Sequence, residues 1–280
     1  PSQADGDLWP DDLAPDFVNV PVGISRTMPP WAEFPPAEEI WSLNDDAVRS
    51  ARKLIYIEAQ YLTANRLAKL LAKRLQEADG PHIVIIVTKQ SRGVMEQFIM
   101  GRNRDRLMRR IQRADRFGRL RIYYPTHSDG DKDHAIHVHA KLMIIDDTLL
   151  RVGSANLNNR SMGLDTECDL VIEGHSEQTQ RVICRIRERL LAEHLGVEAD
   201  DIRSAALSAR STILGIEQLN GRARQLRELP KARRFGPTGP AFGTFLLDPV
   251  RPFEPVWSLK RKQHSRLGSW FRSRLVRQKL

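Results

Sequence analysis

The feature of this sequence that most constrains its fold is an alternation of short apolar runs and longer amphipathic stretches between residues 53 and 125. Three runs rich in β-branched and aromatic residues predict buried strands: KLIYIEAQYL, HIVIIVTK and LRIYYP. The two stretches between them place apolar residues at helical spacing. Because the strands are apolar throughout, this β-α-β-α-β order predicts an α/β fold in which helices cover both faces of a mixed, largely parallel sheet.

The second half of the chain predicts a hairpin followed by another strand and more helices. Two runs, residues 137–145 and 149–157, are joined by the polar turn Asp146-Asp147-Thr148. A further strand is predicted at residues 166–174, and helices at 176–195 and 200–219.

Composition changes at both ends of the chain. Residues 1–40 hold eight of the 16 prolines and predict an extended connector that belongs to neither helix nor sheet. Residues 221–280 carry fifteen Lys and Arg against three acidic residues, a net charge of +12, whereas the first 220 residues sum to −3. We therefore predict three parts: a connector at 1–40, a half-domain at 41–220 that holds the chemistry, and a basic C-terminal extension at 221–280.

The basic extension indicates a polyanionic partner, such as an anionic membrane surface. Its last residues place apolar side chains among Lys and Arg, as an interfacial helix would: Leu267, Trp270, Phe271, Leu275 and Val276. A solvated tail is the alternative. The sequence shows no apolar run of 18 residues and no signal-peptide pattern. We expect a cytoplasmic protein with peripheral membrane association.

The most unusual stretch is HVHAKLMIID, which sets polar residues in an apolar strand. Residues two apart on a strand share a face, so His139 and Lys141 project together. Ser154 and Asn156 follow the hairpin and return to the same neighbourhood. These groups suit a phosphate: Lys141 neutralises its oxygens, and the other two donate hydrogen bonds. His139 either attacks phosphorus or protonates a leaving alkoxide.

Other residues complete the predicted site. Glu167 is the candidate carboxylate that orients the His139 ring, and Asp146 is the other candidate. Gln60 lies at the end of a predicted strand, where open α/β sheets place ligands. A metal site is the alternative, and it would use three histidines: His134, His137 and His139. We expect no metal, because a lysine on the same face would repel one.

The stretch HAKLMIIDDTLLRVGSANLNNRSMGLDTE resembles the HKD motif of the phospholipase D superfamily, with the Gly-Ser-x-Asn and Asn-x-Arg-Ser segments that follow it. Upstream, IYIEAQYLTA resembles the strand that precedes the second motif, with Ala59 in place of the usual Asn and with Glu58 and Gln60 retained. The segment LWP…VGISRTMP resembles the connector between the halves of two-motif bacterial members. The resemblance covers roughly residues 8 to 195.

The resemblance implies phosphodiester exchange without metal or cofactor. One histidine forms a phosphohistidine, and another protonates the leaving alcohol and then activates water or a second alcohol. On this reading the catalytic residues are His139, Lys141, Asp146 and Glu167. The phosphate- or substrate-binding residues are Ser154, Asn156 and Gln60. Arg160 either binds phosphate as well or pairs with Asp165.

The family's active site needs two HKD motifs, and this sequence contains one. Either two copies form a homodimer, or the chain is the C-terminal half of a longer two-motif enzyme. The Pro-rich connector and the start at Pro1 favour the second interpretation. His139 would then belong to the second motif, whose histidine often serves as the acid and base in two-motif relatives.

Four functions are open at this point. The first is a phospholipase D-type enzyme that cleaves or exchanges phospholipid headgroups. The others are a cardiolipin synthase-like phosphatidyl transferase, a superfamily nuclease, and a non-catalytic half that binds a membrane or partner. The expected partners are phospholipid substrate, an anionic membrane surface and a second HKD half, with nucleic acid less expected.

Overall fold

The computed structural model describes residues 10, 12–30, 34–89, 94–232 and 235–249. The strands are β1 (Gly23–Met28), β2 (Ala37–Glu38), β3 (Leu54–Ala59), β4 (His82–Val87), β5 (Leu120–Ser128), β6 (Asp133–Ala135), β7 (Lys141–Ile145), β8 (Leu149–Gly153), β9 (Glu167–Glu173) and β10 (Arg224–Glu228). The helices are α1 (Glu39–Ser50), α2 (Asn65–Gln76), α3 (Val94–Ala114), α4 (Asn159–Gly163), α5 (Glu177–Leu195), α6 (Ala199–Ser208), α7 (Thr212–Leu219) and α8 (Thr244–Leu247). None of these helices is both long and apolar enough to cross a membrane.

The strands form one mixed sheet in the order β10-β5-β4-β3-β7-β8-β9-β1-β2, with β6 paired to β5. The predicted β-α-β-α-β unit is confirmed, since β3, β4 and β5 are parallel and α2 and α3 connect them. From β7 onward the neighbours are antiparallel. The mixed α/β class is therefore confirmed, with a smaller parallel part than the apolar strands predicted.

Helices cover both faces of the central strands of the sheet. On one face Ile57 and Ile85 share an apolar core with residues of α1, α2 and α3. On the other face Tyr56 and Val84 share a second core with residues of α5, α6 and α7. Each aliphatic side chain buried in this way contributes about 1.5–3 kcal/mol. This double coverage explains why the central strands are apolar at every position.

The two ends of the chain contribute strands to the same sheet. β1 pairs antiparallel with β9, and its Thr27 is fully buried. β10 pairs antiparallel with β5, and its Leu226 is buried. The prediction that residues 1–40 belong to neither helix nor sheet is therefore wrong for β1 and β2, and β10 lies in the region predicted as the basic extension. The amphipathic segment from residue 267 to 276 lies outside the described residues.

Two other boundaries differ from the sequence-based prediction. The helix predicted at residues 200–219 is two helices, α6 and α7, which are separated at Ala209–Ser211 by a tight turn. Arg210 in this turn has a φ of 50°, a left-handed conformation that no helix interior contains. The strand predicted from residue 137 begins only at Lys141.

Candidate active site

The topology brings four strand ends to one edge of the sheet. Because β7 runs antiparallel to β3, with Ala59 opposite Lys141, the end of β3 meets the start of β7. The end of β8 and the start of β9 lie at the same edge, where Gly153 is opposite Asp169. A hollow of about 580 Å³ opens there, lined by polar His139, Lys141, Ser154 and Asn156 and by apolar Leu142 and Val152. We call this the site hollow.

His139 is exposed, and its ring stacks on that of His137, with centroids 6.1 Å apart and an interplanar angle of 23°. Thr88, buried just after β4, holds this segment: its Oγ1 lies 3.1 Å from His137 Nδ1 and accepts a hydrogen bond from the Val138 N–H at 2.9 Å. Among the described residues, the ring nitrogens of His139 have no hydrogen-bond partner. They are thus available to a ligand in the hollow.

Lys141 is half-buried beside His139. Its Nζ donates to the Gln60 Oε1 at 3.3 Å and to the His139 backbone oxygen at 2.9 Å. Burial lowers the pKa of this ammonium, and the nearby Glu167 carboxylate partly opposes that effect. Both hydrogen-bond acceptors are neutral, so they orient the cation without cancelling its charge. Such a group is suited to hold a phosphate oxygen.

Ser154 and Glu167 form a pair at the rim of the hollow. Ser154 Oγ donates to Glu167 Oε2 at 2.5 Å and accepts from the Cys168 N–H at 3.0 Å. Within the described residues, the predicted hydrogen bond from Glu167 to the His139 ring is absent. Asn156 has a buried Oδ1 without a hydrogen-bond partner in the described part of the chain. A buried acceptor without a partner needs a donor from outside, such as a protonated ligand or water.

Asp146 lies at the opposite end of β7 from the hollow. Its carboxylate accepts three backbone N–H groups, from Arg52 at 2.6 Å and from Lys53 and Leu54 at 2.7 Å each. The prediction that Asp146 orients the His139 ring is therefore wrong, because the whole length of β7 separates them. Asp146 instead fixes the start of β3 against the hairpin turn.

A buried ion pair that sequence reasoning missed supports the loop after β8. Arg151 donates to Asp169 Oδ2 at 2.6 Å and to the Ala155 carbonyl at 2.9 Å, and the Ala155 N–H donates to Asp169 Oδ1 at 3.1 Å. Any side chain at Gly153 would place its Cβ 2.1 Å from Asp169 Oδ1. The signal was present in the sequence, since LLRVG and CDLVI each carry one charge inside an apolar strand.

Three residues weighed in the sequence are not part of the lining of the hollow and have partners elsewhere. Arg160 pairs with Asp165 at 2.6 Å. Glu58 is buried beside α5, where it accepts from the Tyr56 hydroxyl at 2.5 Å and lies 3.1 Å from His194 Nε2.

His134 lies on β6 and pairs with Asp129 at 2.7 Å. In the part of the chain that the structure describes, no three His, Cys, Asp or Glu side chains are grouped to hold a metal ion.

Comparison with curated proteins finds local similarity to phospholipases D. Phospholipase D alpha 4 of Arabidopsis thaliana is 34% identical over 88 residues, which are 30% of this chain and 12% of that protein. Phospholipase D of Phytophthora infestans is 40% identical over 82 residues, or 25% of this chain and 4% of that protein. The chain thus spans only a small fraction of these relatives' length.

Solved structures with a similar fold have low identity. Nuc from Salmonella typhimurium, a phospholipase D family member, has a TM-score of 0.40 and 20% identity, with 61% of this chain and 93% of that chain covered. Phosphatidylserine synthase from Haemophilus influenzae Rd KW20 has a TM-score of 0.46 and 20% identity, with 62% of this chain and 38% of that chain covered.

The family model described as "Cardiolipin synthase, PLD-like domain" matches residues 45–190, more than half of the chain. This range contains β3 to β9 and therefore every residue that lines the site hollow. The chain belongs to the phospholipase D superfamily.

Proposed function

We propose that this chain supplies one half of an active site that cleaves or exchanges phospholipid headgroups. The observation that carries the proposal is that His139 and Lys141 line one hollow together with Ser154 and Asn156. Lys141 would bind the non-bridging oxygens of a phosphodiester, and the Asn156 amide would donate a further hydrogen bond to them. The Ser154 hydroxyl donates to Glu167 in the free site, so it would have to turn from that carboxylate to donate to the phosphate. The catalytic set therefore centres on His139 and Lys141, with Gln60 and Glu167 beside them.

The proposed reaction has two displacements at phosphorus. In the first, one histidine nitrogen bonds to phosphorus while the headgroup oxygen leaves and takes a proton from the other histidine. In the second, water or an alcohol attacks phosphorus, gives its proton to that other histidine and releases the first. We assign His139 the proton-transfer role. Its ring is exposed and has no hydrogen-bond partner among the described residues, which supports a role in exchanging protons with substrate.

A second HKD half is the proposed partner, because the sequence contains a single HKD motif. An apolar row supports its docking: Leu142, Val152, Leu170 and Ile24 lie opposite one another across β7, β8, β9 and β1. Val152, Leu170 and Ile24 are 43%, 44% and 65% exposed. Large exposed side chains in a row mark an interaction surface, and this row begins inside the hollow. We favour the other half of a longer protein over a second copy.

The test is product analysis with the protein that carries both halves. Incubation with diacyl phosphatidylcholine, a chelator and a primary alcohol is expected to give the phosphatidyl alcohol together with phosphatidate. A phosphohistidine intermediate predicts this partition, since both acceptors attack the same species. Formation of neither product, with DNA cleaved instead, would support the nuclease alternative.

Phosphatidyl transfer of the cardiolipin synthase type is the second candidate, because the matching family model carries that description. The same site would then use phosphatidylglycerol as both donor and acceptor. Supplying phosphatidylglycerol alone separates the two functions: the transferase gives cardiolipin and glycerol, while the hydrolase gives phosphatidate.

We also propose that residues 221–280, with their net charge of +12, dock the protein peripherally on an anionic membrane from the cytoplasmic side. Cosedimentation with vesicles that contain phosphatidylglycerol is the test. Binding is expected to weaken as salt rises from low to physiological ionic strength, because screening shortens the range of the attraction. Equal sedimentation with neutral vesicles would contradict this role.

A further inference from the structure

A second cavity lies at the opposite end of the sheet from the site hollow. It has a volume of about 700 Å³ and is bounded by the starts of β3 and β4, the β7–β8 turn, α5, α6 and the α6–α7 turn. We call it the distal cavity. The length of β7 separates it from Lys141 by about 13 Å, at 3.3 Å per strand residue. A ligand bound in this cavity would not contact the reacting groups.

Two ion pairs form part of the wall of the distal cavity, and within each pair the positive and negative charges cancel. Arg187 makes two hydrogen bonds of 2.7 Å to the Asp147 carboxylate. Arg203 makes two more to Glu188, at 2.9 and 3.2 Å. Both pairs are bidentate, which fixes their geometry. They give the cavity a rigid polar wall with no net charge.

Two further cations in the same lining have no such compensation. Within the described residues, neither the Lys53 ammonium nor the Arg210 side chain has a hydrogen-bond or ion-pair partner, and both line the distal cavity. Burial, together with nearby Arg119 and Arg121, lowers the pKa of the His82 ring, so that ring is a neutral donor or acceptor at neutral pH. The cavity therefore carries a net charge close to +2.

The backbone conformation of Arg210 also indicates a functional role for this residue at the cavity. Its φ of 50° lies in the left-handed region, where glycine or asparagine is cheaper than arginine. The turn is closed around it, since the Arg210 N–H donates to the Leu207 carbonyl at 3.1 Å and the Ser211 hydroxyl caps α7 through the Leu214 N–H. Strained backbone positions cluster at functional sites. Here the strained residue places a guanidinium in the lining of the cavity.

The remaining lining is apolar. Leu54 and Ile202 are buried at its walls, and Leu207, on the last turn of α6, is 71% exposed beside them. An apolar wall beside two uncompensated cations fits a molecule with an anionic head and an apolar body.

We propose that the distal cavity binds a phosphate monoester that carries an apolar substituent. Lys53 and Arg210 neutralise the dianionic phosphate, and Leu54, Ile202 and Leu207 cover the substituent. This binding does not depend on the proposed reaction at the site hollow. If that reaction takes place, its hydrolytic product has this chemistry, and the distal cavity is a second place where such a product binds.

Calorimetric titration of the full chain with water-soluble dihexanoyl phosphatidate tests the proposal. A Lys141→Met background removes the phosphate-binding cation of the site hollow, and binding is expected to persist in it. In that background Lys53→Gln and Arg210→Gly are each expected to weaken binding about tenfold, since each removes a charged contact. Arg116→Gln, at an exposed arginine outside the cavity lining and outside the basic extension, is the matched control and is expected to leave the affinity unchanged.

Arg210→Gly also guards against a failure to fold. Glycine accepts the left-handed conformation, so the melting temperature of this variant should equal or exceed that of the parent. Inorganic phosphate is the second arm, and it should bind about tenfold more weakly than the phosphatidate because it lacks apolar contacts. Equal affinity for the two ligands, or unchanged phosphatidate affinity in both folded variants, would overturn the proposal.

Discussion

Lys141 and Gln60 are 81 residues apart in the sequence, yet the ammonium nitrogen of one lies 3.3 Å from the amide oxygen of the other. This contact joins the end of β3 to the start of β7 across an antiparallel pair. It leaves the lysine charge uncancelled while fixing its direction. The two sequence segments that resemble the superfamily's motifs therefore meet at one cation.

This arrangement predicts a low pKa for Lys141. Burial lowers the pKa of Lys141 in the folded protein below the ordinary value of 10.5. At pH values between the folded-state pKa and the unfolded-state pKa, the unfolded chain therefore binds more protons than the folded one. Across that window, raising the pH makes the contribution of this group to stability more favourable. Gln60→Glu should raise the Lys141 pKa, because a carboxylate favours the charged form. Titration of the Lys141 side chain by NMR checks both values, and Gln60→Ala is the neutral control. A wild-type pKa at or above 10.5 would contradict the account.

Gly153→Ala is expected to destabilise the protein. The new Cβ would lie 2.5 Å from the Asp169 Cα and 2.6 Å from the Cys168 carbonyl, so backbone must move. A cost of about 1–3 kcal/mol in the free energy of unfolding is expected from such overpacking. Gly101→Ala in α3 is the matched control: nothing lies within 4 Å of its Cβ, and it should stabilise the helix by about 0.5–1 kcal/mol. Urea unfolding measures the free energy of unfolding of both variants. Equal effects would contradict the claim that the backbone at Asp169 leaves no room for a side chain at Gly153.

Asp146→Ala should reduce stability without a direct effect on chemistry. It removes three charge-assisted hydrogen bonds to the start of β3. Two of the freed N–H groups are exposed and can form hydrogen bonds with water instead. We expect a loss of about 2 kcal/mol in the free energy of unfolding, and a smaller loss for Asp146→Asn. The activity of the folded fraction should be close to that of wild type. A folded Asp146→Asn variant without activity would show that this carboxylate takes part in the reaction.

The apolar row predicts where the second half docks. Val152→Glu combined with Leu170→Glu puts two charges on a surface that would be buried, and should weaken association at least about 100-fold. Leu214→Glu on α7 is the control, because that leucine is 50% exposed and lies on another surface. Analytical ultracentrifugation of the two halves, or of the chain alone if it pairs with itself, measures the effect. Equal association of both variants would exclude this row as the interface.

The sequence predicted the parts of the structure that depend on local patterns. The strands β3 and β4 are recognised because burial on both faces requires an apolar residue at every position, as in HIVIIV. His139 and Lys141 line one hollow, although His139 precedes β7 and strand alternation does not extend to it. In contrast, β10 reads RQLRE and was missed, because an edge strand needs only one buried residue, Leu226.

Side-chain partners were harder to predict than strands. The partners of Asp146 and Glu167 depend on which strand ends meet, and that follows from sheet order and not from spacing along the chain. The turn at Arg210 could not be predicted from the sequence, since arginine has no preference for the left-handed conformation. The turn accompanies the close packing of α7 on α6, where Gly215 lies against the Ala206 backbone. Long-range pairing therefore decided the details that local pattern left open.

The most direct test of the central claim is the rate of headgroup release from a diacyl phospholipid, in the presence of a chelator, by the protein that contains both HKD halves. His139→Ala should lower this rate at least about 100-fold, because it removes proton transfer at the reacting oxygen. It should leave the melting temperature unchanged, since the side chain is exposed. His137→Ala, which removes the neighbouring stacked ring, should lower the rate of headgroup release much less. A folded His139→Ala variant that releases headgroup at the wild-type rate would contradict the assignment of this histidine to the reaction.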